Sequence, residues 1–208
     1  MKIAVIGANG RVGSRIVSEA LSRNHAVTAI VRKAATITNP KIQVIERDIF
    51  ALTIQDLQGY DVVVSAFGAP QGPYELHVET AKHLTALLKN QEKPRLIIVG
   101  GAGSLLVDDH GTELCATPDF PEAYKPTATA MRDELVFLRS VDDVNWTFLS
   151  PSAVFAPGER TGTFRLGKDH LLLAADGNSS ISMEDYAIAL VDEIEKPQHI
   201  KQRFTVGY

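Results

Sequence analysis

Three glycines spaced by three residues stand near the start of the chain, where a strand-like sequence gives way to a helix-like one. They lie in the stretch "GANGRVG", residues 7–13, which follows the apolar run "IAVI" and leads into the amphipathic segment "RVGSRIVSEALSR". At such a turn, glycines permit a tight bend, let a pyrophosphate approach the backbone and let the helix pack closely on the strand, while the first helical amides face the anion. The pattern predicts a dinucleotide site. Its expected contacts are Gly7, Asn9, Gly10, Arg11, Val12 and Gly13.

The end of the second apolar run indicates which dinucleotide binds. The run finishes "IVRKA", which places Arg32 and Lys33 about 20 residues after the glycines. A carboxylate at this point would bond the ribose 2′-hydroxyl of NAD, whereas a basic side chain accommodates the 2′-phosphate of NADP. Arg11 could close the other side of that phosphate, because a planar guanidinium binds it in a bidentate way. The residues therefore favour NADP over NAD, and a solvated basic strand end is the alternative.

Later segments supply further candidate contacts to the dinucleotide. Asp48 and Ile49 follow the third apolar run and could meet the adenine amino group and ring face, although hydrogen bonding within the loop explains Asp48 equally well. Small residues end the fourth and fifth runs, in "SAFGAP" and "GGAGS", where the cofactor could cross closely. The remaining predicted cofactor contacts are Ala66, Phe67, Gly68, Gly100, Gly101 and Pro151.

An acceptor of electrons would lie at the other end of the same edge. Phe67, Tyr74, Phe155 and Phe164 could stack on a planar molecule, and a plain core role is at least as good an explanation for each. Polar side chains that could orient the acceptor are Ser104, Ser150, Ser152 and Arg160. None of these residues is assigned a catalytic role by its type and spacing alone.

The elements that must position these residues alternate between strands and helices. Unbroken apolar runs predict strands at 2–6, 26–31, 42–46, 61–67, 95–100, 146–150 and 203–207, and helical periodicity predicts helices at 11–23, 74–91, 131–140 and 183–195. Such alternation is typical of a doubly wound parallel α/β sheet, the Rossmann arrangement. We expect a single domain over residues 1–208, in which the Pro- and Gly-rich segment 151–180 forms a wall of the substrate pocket.

Some individual side chains also have predictable places. In the last helix, Tyr186, Leu190 and Ile194 share a face and are expected in the core, whereas Asp192, Glu193 and Glu195 are expected in solvent. His77 and His83 are interpreted as surface or packing residues. The carboxylates of "DDHG", residues 108–111, lack a second ligand cluster, so we predict no metal site.

Composition narrows the classes of function. The chain has 208 residues, 45% of them hydrophobic, a single Cys115, and a net charge of -4 without any basic block. These values fit one large domain in a reducing compartment and provide no electrostatic surface for nucleic acid or an anionic membrane. We therefore expect a cytoplasmic protein with a small-molecule partner, and the oligomeric state stays open between a monomer and a homodimer.

These motifs together resemble the atypical branch of the short-chain dehydrogenase/reductase superfamily. Within it the chain is similar to the NAD(P)H-binding proteins described as NADH-flavin reductases, to biliverdin reductase B and to NmrA-like proteins. The resemblance covers nearly the whole chain. It rests on "IGANGRVGSRIVSEAL", "GGAGSL", "NWTFLSPS", "FAPGERTGTFRLG", "SISMEDYAIALVDEIE" and "RFTVGY".

The chain departs from the wider superfamily at its catalytic pair. Ordinary members carry Tyr-x-x-x-Lys on the helix after the fifth strand, and extended members often place a Glu four residues after that Lys. Matching this Glu to Glu134 puts Pro126 and Ala130 at the Tyr and Lys positions, and Pro126 is better read as the first turn of a helix. An isomerase or dehydratase of nucleotide sugars, which needs the pair, is therefore disfavoured.

The missing pair fits two different functions. Hydride transfer to a flavin or quinone gives a delocalised anion, so such an acceptor needs positioning more than a proton donor. The resemblance thus implies an NADPH-dependent reductase of a free flavin or a similar aromatic acceptor. The alternative is a non-catalytic NADP sensor of the NmrA kind that acts through a protein partner.

Overall fold

The computed structural model describes residues 1–208 and contains ten strands and five α-helices. The strands are β1 Lys2–Ile6, β2 Ala26–Val31, β3 Gln43–Glu46, β4 Val62–Ser65, β5 Arg95–Val99, β6 Trp146–Ser150, β7 Val154–Ala156, β8 Arg165–Gly167, β9 Ser180–Ser182 and β10 Gln202–Gly207. The helices are α1 Gly13–Ser22, α2 Ile54–Leu57, α3 Leu76–Leu88, α4 Lys125–Leu138 and α5 Met183–Glu195. No helix combines the length and the apolarity that a membrane crossing requires.

Eight of the strands form one sheet in the order β3-β2-β1-β4-β5-β6-β10-β8. All neighbouring strands in it are parallel except β8, which runs antiparallel to β10. The strand order reverses between β1 and β4, the point at which ligands of such sheets bind. The prediction of a single-domain, doubly wound parallel sheet is confirmed.

The apolar runs are unbroken because both faces of the sheet are covered. Along β1, Ile3 and Val5 point into the layer that contains α1 and α5, whereas Ala4 and Ile6 point into the layer that contains α2, α3 and α4. Each of these four residues is at most 4% exposed. The two apolar layers bury β1 on both faces, and the parallel register aligns the carboxyl ends of β1, β2, β4 and β5 along one edge.

The sequence prediction missed or misplaced some elements. Three short strands, β7, β8 and β9, have three residues each, which is too few for alternation to be visible. Helix α4 begins at Lys125, so Pro126 lies in its first turn as expected, and the helical pattern at 131–140 covers only the second half of the helix. The crossover from β2 to β3 contains a short 3-10 turn, Ala34–Thr36, that the sequence analysis did not predict.

The predicted solvent position of Glu193 is wrong. This side chain is 4% exposed, and its carboxylate accepts hydrogen bonds from Arg95, at 3.0 Å, and from the amide of His199, also at 3.0 Å. The guanidinium that compensates the buried charge comes from β5, so no local pattern in the helix could reveal it. The core positions predicted for Tyr186, Leu190 and Ile194 are confirmed.

Gly13 should be essential to the fold. A Cβ at this position would overlap the carbonyl oxygen of Gly7, so Gly13→Ala must push α1 away from β1, and we expect a loss of about 3 kcal/mol in the free energy of unfolding. The matched control is Gly68→Ala, whose Cβ would meet no atom within 4 Å and which should change stability by less than about 0.5 kcal/mol. Urea unfolding of both variants tests this, and equal losses would contradict the assignment.

Candidate functional site

The glycine turn forms a concave backbone surface at the carboxyl end of β1. Gly7 has a φ of 73°, and a Cβ there would lie 2.6 Å from the carbonyl oxygen of Ala66, so only glycine fits. The amides of Arg11, Val12 and Gly13 have no hydrogen-bond acceptor within the chain, as expected of the first amides of a helix. This arrangement suits the pyrophosphate of a dinucleotide, which would be held by backbone N–H groups at the start of α1.

Two arginines beside this turn have side chains that make no hydrogen bond or ion pair. They are Arg11, in the turn, and Arg32, just after β2, and both are exposed. Every other arginine side chain donates to a carboxylate or a carbonyl. Lys33 is also exposed and its ammonium group has no partner. Three cations are thus available to an anionic ligand at the end of β2.

One carboxylate lies close to these cations, and the sequence analysis did not identify it. Glu46, at the end of β3, is paired in register with Val31 and accepts a hydrogen bond of 2.6 Å from the amide of Ala34. Its other oxygen makes no bond within the chain. The sequence could have indicated Glu46, because the last residues of β2 and β3 must be neighbours if the two strands are parallel.

Asp48, in the loop after β3, makes the hydrogen bond within the loop that was one of its two expected roles. Its Oδ1 accepts a hydrogen bond of 3.0 Å from the amide of Phe50 and caps the 3-10 turn Ile49–Ala51. Its Oδ2 has no partner, and the residue is exposed at the same edge of the sheet. Ile49 is 6% exposed and belongs to the apolar layer of α2, α3 and α4.

The glycines after β5 have a packing role. A Cβ at Gly100 would overlap the ring of Phe148, and one at Gly101 would lie 3.0 Å from Sδ of Met131 on α4. Their lack of side chains therefore brings α4 and β6 close to β5. Their backbone lies at the carboxyl edge together with Ala66, Phe67 and Gly68, where the prediction placed the cofactor.

The polar side chains proposed to orient an acceptor are already engaged within the chain. Arg203 donates to the hydroxyls of Ser104, at 3.3 Å, and Ser150, at 3.4 Å. Ser152 donates to the carbonyl of Val206 at 2.9 Å and is 1% exposed. The Arg160 guanidinium bonds both carboxylate oxygens of Glu19 on α1, at 3.0 and 2.9 Å.

The aromatic candidates differ in their surroundings. The ring of Phe155 lies 4.7 Å from that of Tyr186, and both Phe155 and Phe164 pack partly buried against the layer of α1 and α5. Phe67 contacts His77 edge-on, with ring centroids 5.7 Å apart. Tyr74 lines a groove between the starts of α3 and α4, and Pro151 is buried after β6. Of the four aromatic candidates, Phe155 and Phe164 are the two that follow β6, and part of the surface of each is open.

Neither Tyr124 nor Lys125 reproduces a Tyr-x-x-x-Lys pair. No tyrosine of the chain is followed by a lysine four residues later. Tyr124 precedes α4 and is 68% exposed, and the ammonium of Lys125 bonds Glu122 at 2.9 Å. The "DDHG" stretch is a turn in which Oδ1 of Asp108 accepts the amides of His110 and Thr112.

A buried polar cluster between α3 and α4 was not anticipated. His77 and Glu134 are each 3% exposed, with 3.8 Å between His77 Nδ1 and Glu134 Oε2. Neither that oxygen nor the hydroxyl of Thr80 has a hydrogen-bond partner. Burial raises the pKa of Glu134 well above its ordinary value and lowers the pKa of His77 to about 4. The imidazole of His77 is therefore neutral near pH 7, and burial favours the protonated, neutral form of Glu134.

Comparison with known proteins agrees with this geometry. The model of a family described as NAD(P)H-binding matches residues 7–197, which include the glycine turn, the carboxyl edge of the sheet and α5. The chain belongs to this NAD(P)H-binding family.

Individual relatives are similar over their full length. The uncharacterized protein YwnB of Bacillus subtilis (strain 168) is 48% identical, over 99% of this chain and 98% of its own. The structure of a "putative NADH-flavin reductase" from Streptococcus pneumoniae TIGR4 is 46% identical, with a TM-score of 0.95 over 100% of this chain and 99% of that one. A "putative exported protein" from Burkholderia pseudomallei is 45% identical, with a TM-score of 0.91 over 100% of both chains.

The buried imidazole should affect stability at acid pH. The pKa of His77 is about 4 in the folded protein, whereas an exposed histidine has a pKa of 6.5. Between these two pH values the imidazole is therefore protonated in the unfolded chain and neutral in the folded protein. Stability should therefore fall as the pH drops from 6.5 to 4, by up to about 3 kcal/mol, and then level off. We expect His77→Leu to remove this part of the slope in urea unfolding measured between pH 4 and 7.

The matched control is His110→Ala, because His110 is exposed and its loss should leave the slope unchanged. A slope in His77→Leu equal to that of the unmodified protein would contradict the assignment.

Proposed function

We propose that the protein is an NADPH-dependent oxidoreductase that passes hydride to a free flavin or a similar planar aromatic or quinone acceptor at the carboxyl edge of the sheet. The observation that carries the proposal is the pair of uncommitted guanidinium groups, Arg11 and Arg32, beside the unbonded first amides of α1. A site with free amides for a pyrophosphate and free arginines for a further phosphate suits NADPH.

The relatives support an oxidoreductase in coarser terms. Membership of an NAD(P)H-binding family supports a nicotinamide cofactor, and the streptococcal relative is described by name as an NADH-flavin reductase. That name specifies NADH, and Glu46 beside Ala34 is a carboxylate that could bond a ribose hydroxyl. We favour NADPH because three cations without an intramolecular partner, Arg11, Arg32 and Lys33, lie in the glycine turn and directly after β2.

Hydride transfer to a flavin or quinone needs little acid catalysis from the protein. Bound NADPH supplies two electrons and a proton as hydride, and a second proton comes from water, so that a flavin is fully reduced while NADP⁺ is formed. The residues after β6 then have to hold the acceptor flat and keep water away. The partly exposed rings of Phe155 and Phe164 suit this task, and the segment 151–180 is the proposed pocket wall.

One observation favours the second candidate, a cofactor sensor that acts through a protein partner. The polar side chains that would orient an acceptor are already hydrogen-bonded within the chain: Ser104 accepts from Arg203, Ser152 donates to the carbonyl of Val206, and Arg160 donates to Glu19. A protein that binds NADPH without turnover would need no free polar group there.

Turnover separates the two candidates. The absorbance of NADPH at about 340 nm would be followed with the purified protein alone and with FMN, riboflavin or a small quinone, beside a matched NADH series. Acceptor-dependent loss that saturates in NADPH supports the reductase. Tight NADPH binding without loss across the panel would favour the sensor and contradict the leading proposal.

Arg32 should discriminate between the two cofactors. Arg32→Ala removes a charge-assisted bond to the 2′-phosphate, so we expect NADPH to bind roughly tenfold to a hundredfold more weakly, about 1.5 to 3 kcal/mol, while NADH is nearly unaffected. Fluorescence titration of both cofactors measures the effect. Lys196→Ala, at an exposed position after α5, is the control and should change neither affinity. Equal losses of affinity for NADPH and NADH in Arg32→Ala would contradict the assignment of Arg32 to the 2′-phosphate.

A further inference from the structure

The loop of residues 157–163, within the proposed pocket wall, is held in place by the first turn of α5. The hydroxyl of Ser182 donates to the carbonyl of Glu159 at 2.7 Å, and the amide of Gly158 donates to Glu184 at 2.8 Å. The loop itself forms no helix or strand, and all of its residues are exposed. Its conformation therefore depends on these contacts.

Three further hydrogen bonds from the loop converge on Asp185. Its Oδ1 accepts hydrogen bonds from the amides of Thr161, at 2.8 Å, and Gly162, at 2.9 Å. Its Oδ2 accepts the hydroxyls of Thr161, at 2.5 Å, and Tyr208, at 2.8 Å. The carboxylate is fully buried, and four donors satisfy it.

These bonds keep the group charged. Burial alone would raise the pKa of Asp185, but the hydrogen bonds from Thr161, Gly162 and Tyr208 outweigh it and hold the pKa below its ordinary value. A buried, ionised and fully satisfied carboxylate fixes its donors much more firmly than a neutral acceptor would.

The orientation of Asp185 is not the one that helix capping requires. Ser182 is the N-cap of α5 and accepts the amide of Asp185 at 3.0 Å. In an ordinary capping box the acidic residue at this position would bond back to the N-cap amide. Here the hydroxyl of Tyr208 accepts the amide of Ser182 at 3.2 Å, and Asp185 is turned to the loop instead.

The same turn of α5 also connects the loop to the cofactor side of the edge. Glu184, which accepts Gly158, forms an ion pair with Arg15 on α1. Arg15 in turn donates to the carbonyl of Arg11 at 2.6 Å. One face of α1 therefore fixes the glycine turn and the 157–163 loop relative to each other.

We propose that Asp185 is a positioning residue for the acceptor: it holds the 157–163 loop, through Thr161 and Gly162, as a preformed wall against which the planar acceptor lies. This inference rests on the proposed reductase function. The acceptor is the class of ligand affected, because the loop follows β7 and is flanked in the sequence by Phe155 and Phe164, whose partly buried rings pack against the layer of α1 and α5. The cofactor is held elsewhere, by the glycine turn and the end of β2.

The test compares Asp185→Ala with Asp185→Asn in the full chain. For Asp185→Ala we expect the KM for FMN to rise at least about tenfold, with kcat within about threefold and the Kd of NADPH within about twofold. The asparagine variant should recover only part of the loss, because its neutral amide oxygen can still accept hydrogen bonds from the amides of Thr161 and Gly162 but replaces the second carboxylate oxygen with an NH2 group. Asp142→Ala, at an exposed carboxylate between α4 and β6, is the control and should leave all three constants unchanged.

A further variant covers the case in which Asp185→Ala does not fold. Thr161→Val leaves Asp185 in place and removes one of its four donors, so the KM for FMN should rise by about threefold while the Kd of NADPH stays constant. Unchanged KM values in the folded variants, or a parallel loss of NADPH binding, would overturn the inference while the unmodified protein still turns over. If the unmodified protein binds NADPH and reduces no acceptor, the proposed function fails first and this inference fails with it.

Discussion

The contact between the start of α1 and the end of β1 is the constraint on which the rest of the site depends. The carbonyl of Gly7 occupies the space that a side chain at Gly13 would need, and the carbonyl of Ala66 closes in on Gly7 from β4. Because no side chain separates them, α1 begins directly at the carboxyl edge of the sheet. Its unbonded amides are thereby presented to a ligand at the point where the strand order reverses.

The position of α1 also sets the far side of the site. Helix α1 packs on α5 through the shared apolar layer, which brings Arg15 to Glu184 and Glu19 to Arg160. These ion pairs join the glycine turn and α1 to the 157–163 loop, which follows β7. The cofactor edge and the proposed acceptor wall are therefore parts of one rigid arrangement, and their separation is fixed by helix packing. Ion pairs of this kind add little stability when exposed, so their main effect is on geometry.

Sequence alone could predict the elements whose signal is local. Strands buried on both faces appear as unbroken apolar runs, and the glycine turn has a spacing with a direct physical reason. The buried carboxylates could not be predicted in this way. Glu193 and Glu134 occupy helical positions that resemble solvent-facing ones, and the groups that compensate or border them, Arg95 and His77, lie far away in the chain. Ser104 is a similar case, since the guanidinium that engages it comes from β10.

The predicted cofactor residues show the same difference between what a local sequence pattern reveals and what only the fold reveals. The types and spacing of Arg11 and Arg32 are enough to indicate a phosphate ligand, because no carboxylate follows β2 in the sequence. Only the fold shows that both guanidinium groups are uncommitted and that Glu46 lies beside them. Whether a basic side chain is free is decided by residues distant in sequence, and this is the information that local patterns lack.

The central claim, that this edge of the sheet recognises the 2′-phosphate of NADPH, can be tested without any turnover. Isothermal titration of the unmodified protein with adenosine 2′,5′-bisphosphate and with adenosine 5′-monophosphate isolates that phosphate from the rest of the cofactor. We expect the bisphosphate to bind at least about tenfold more tightly, and its advantage to shrink as salt is added, because the contacts are between exposed charges. Equal affinities for the two nucleotides would contradict the claim and would assign this edge of the sheet to NADH.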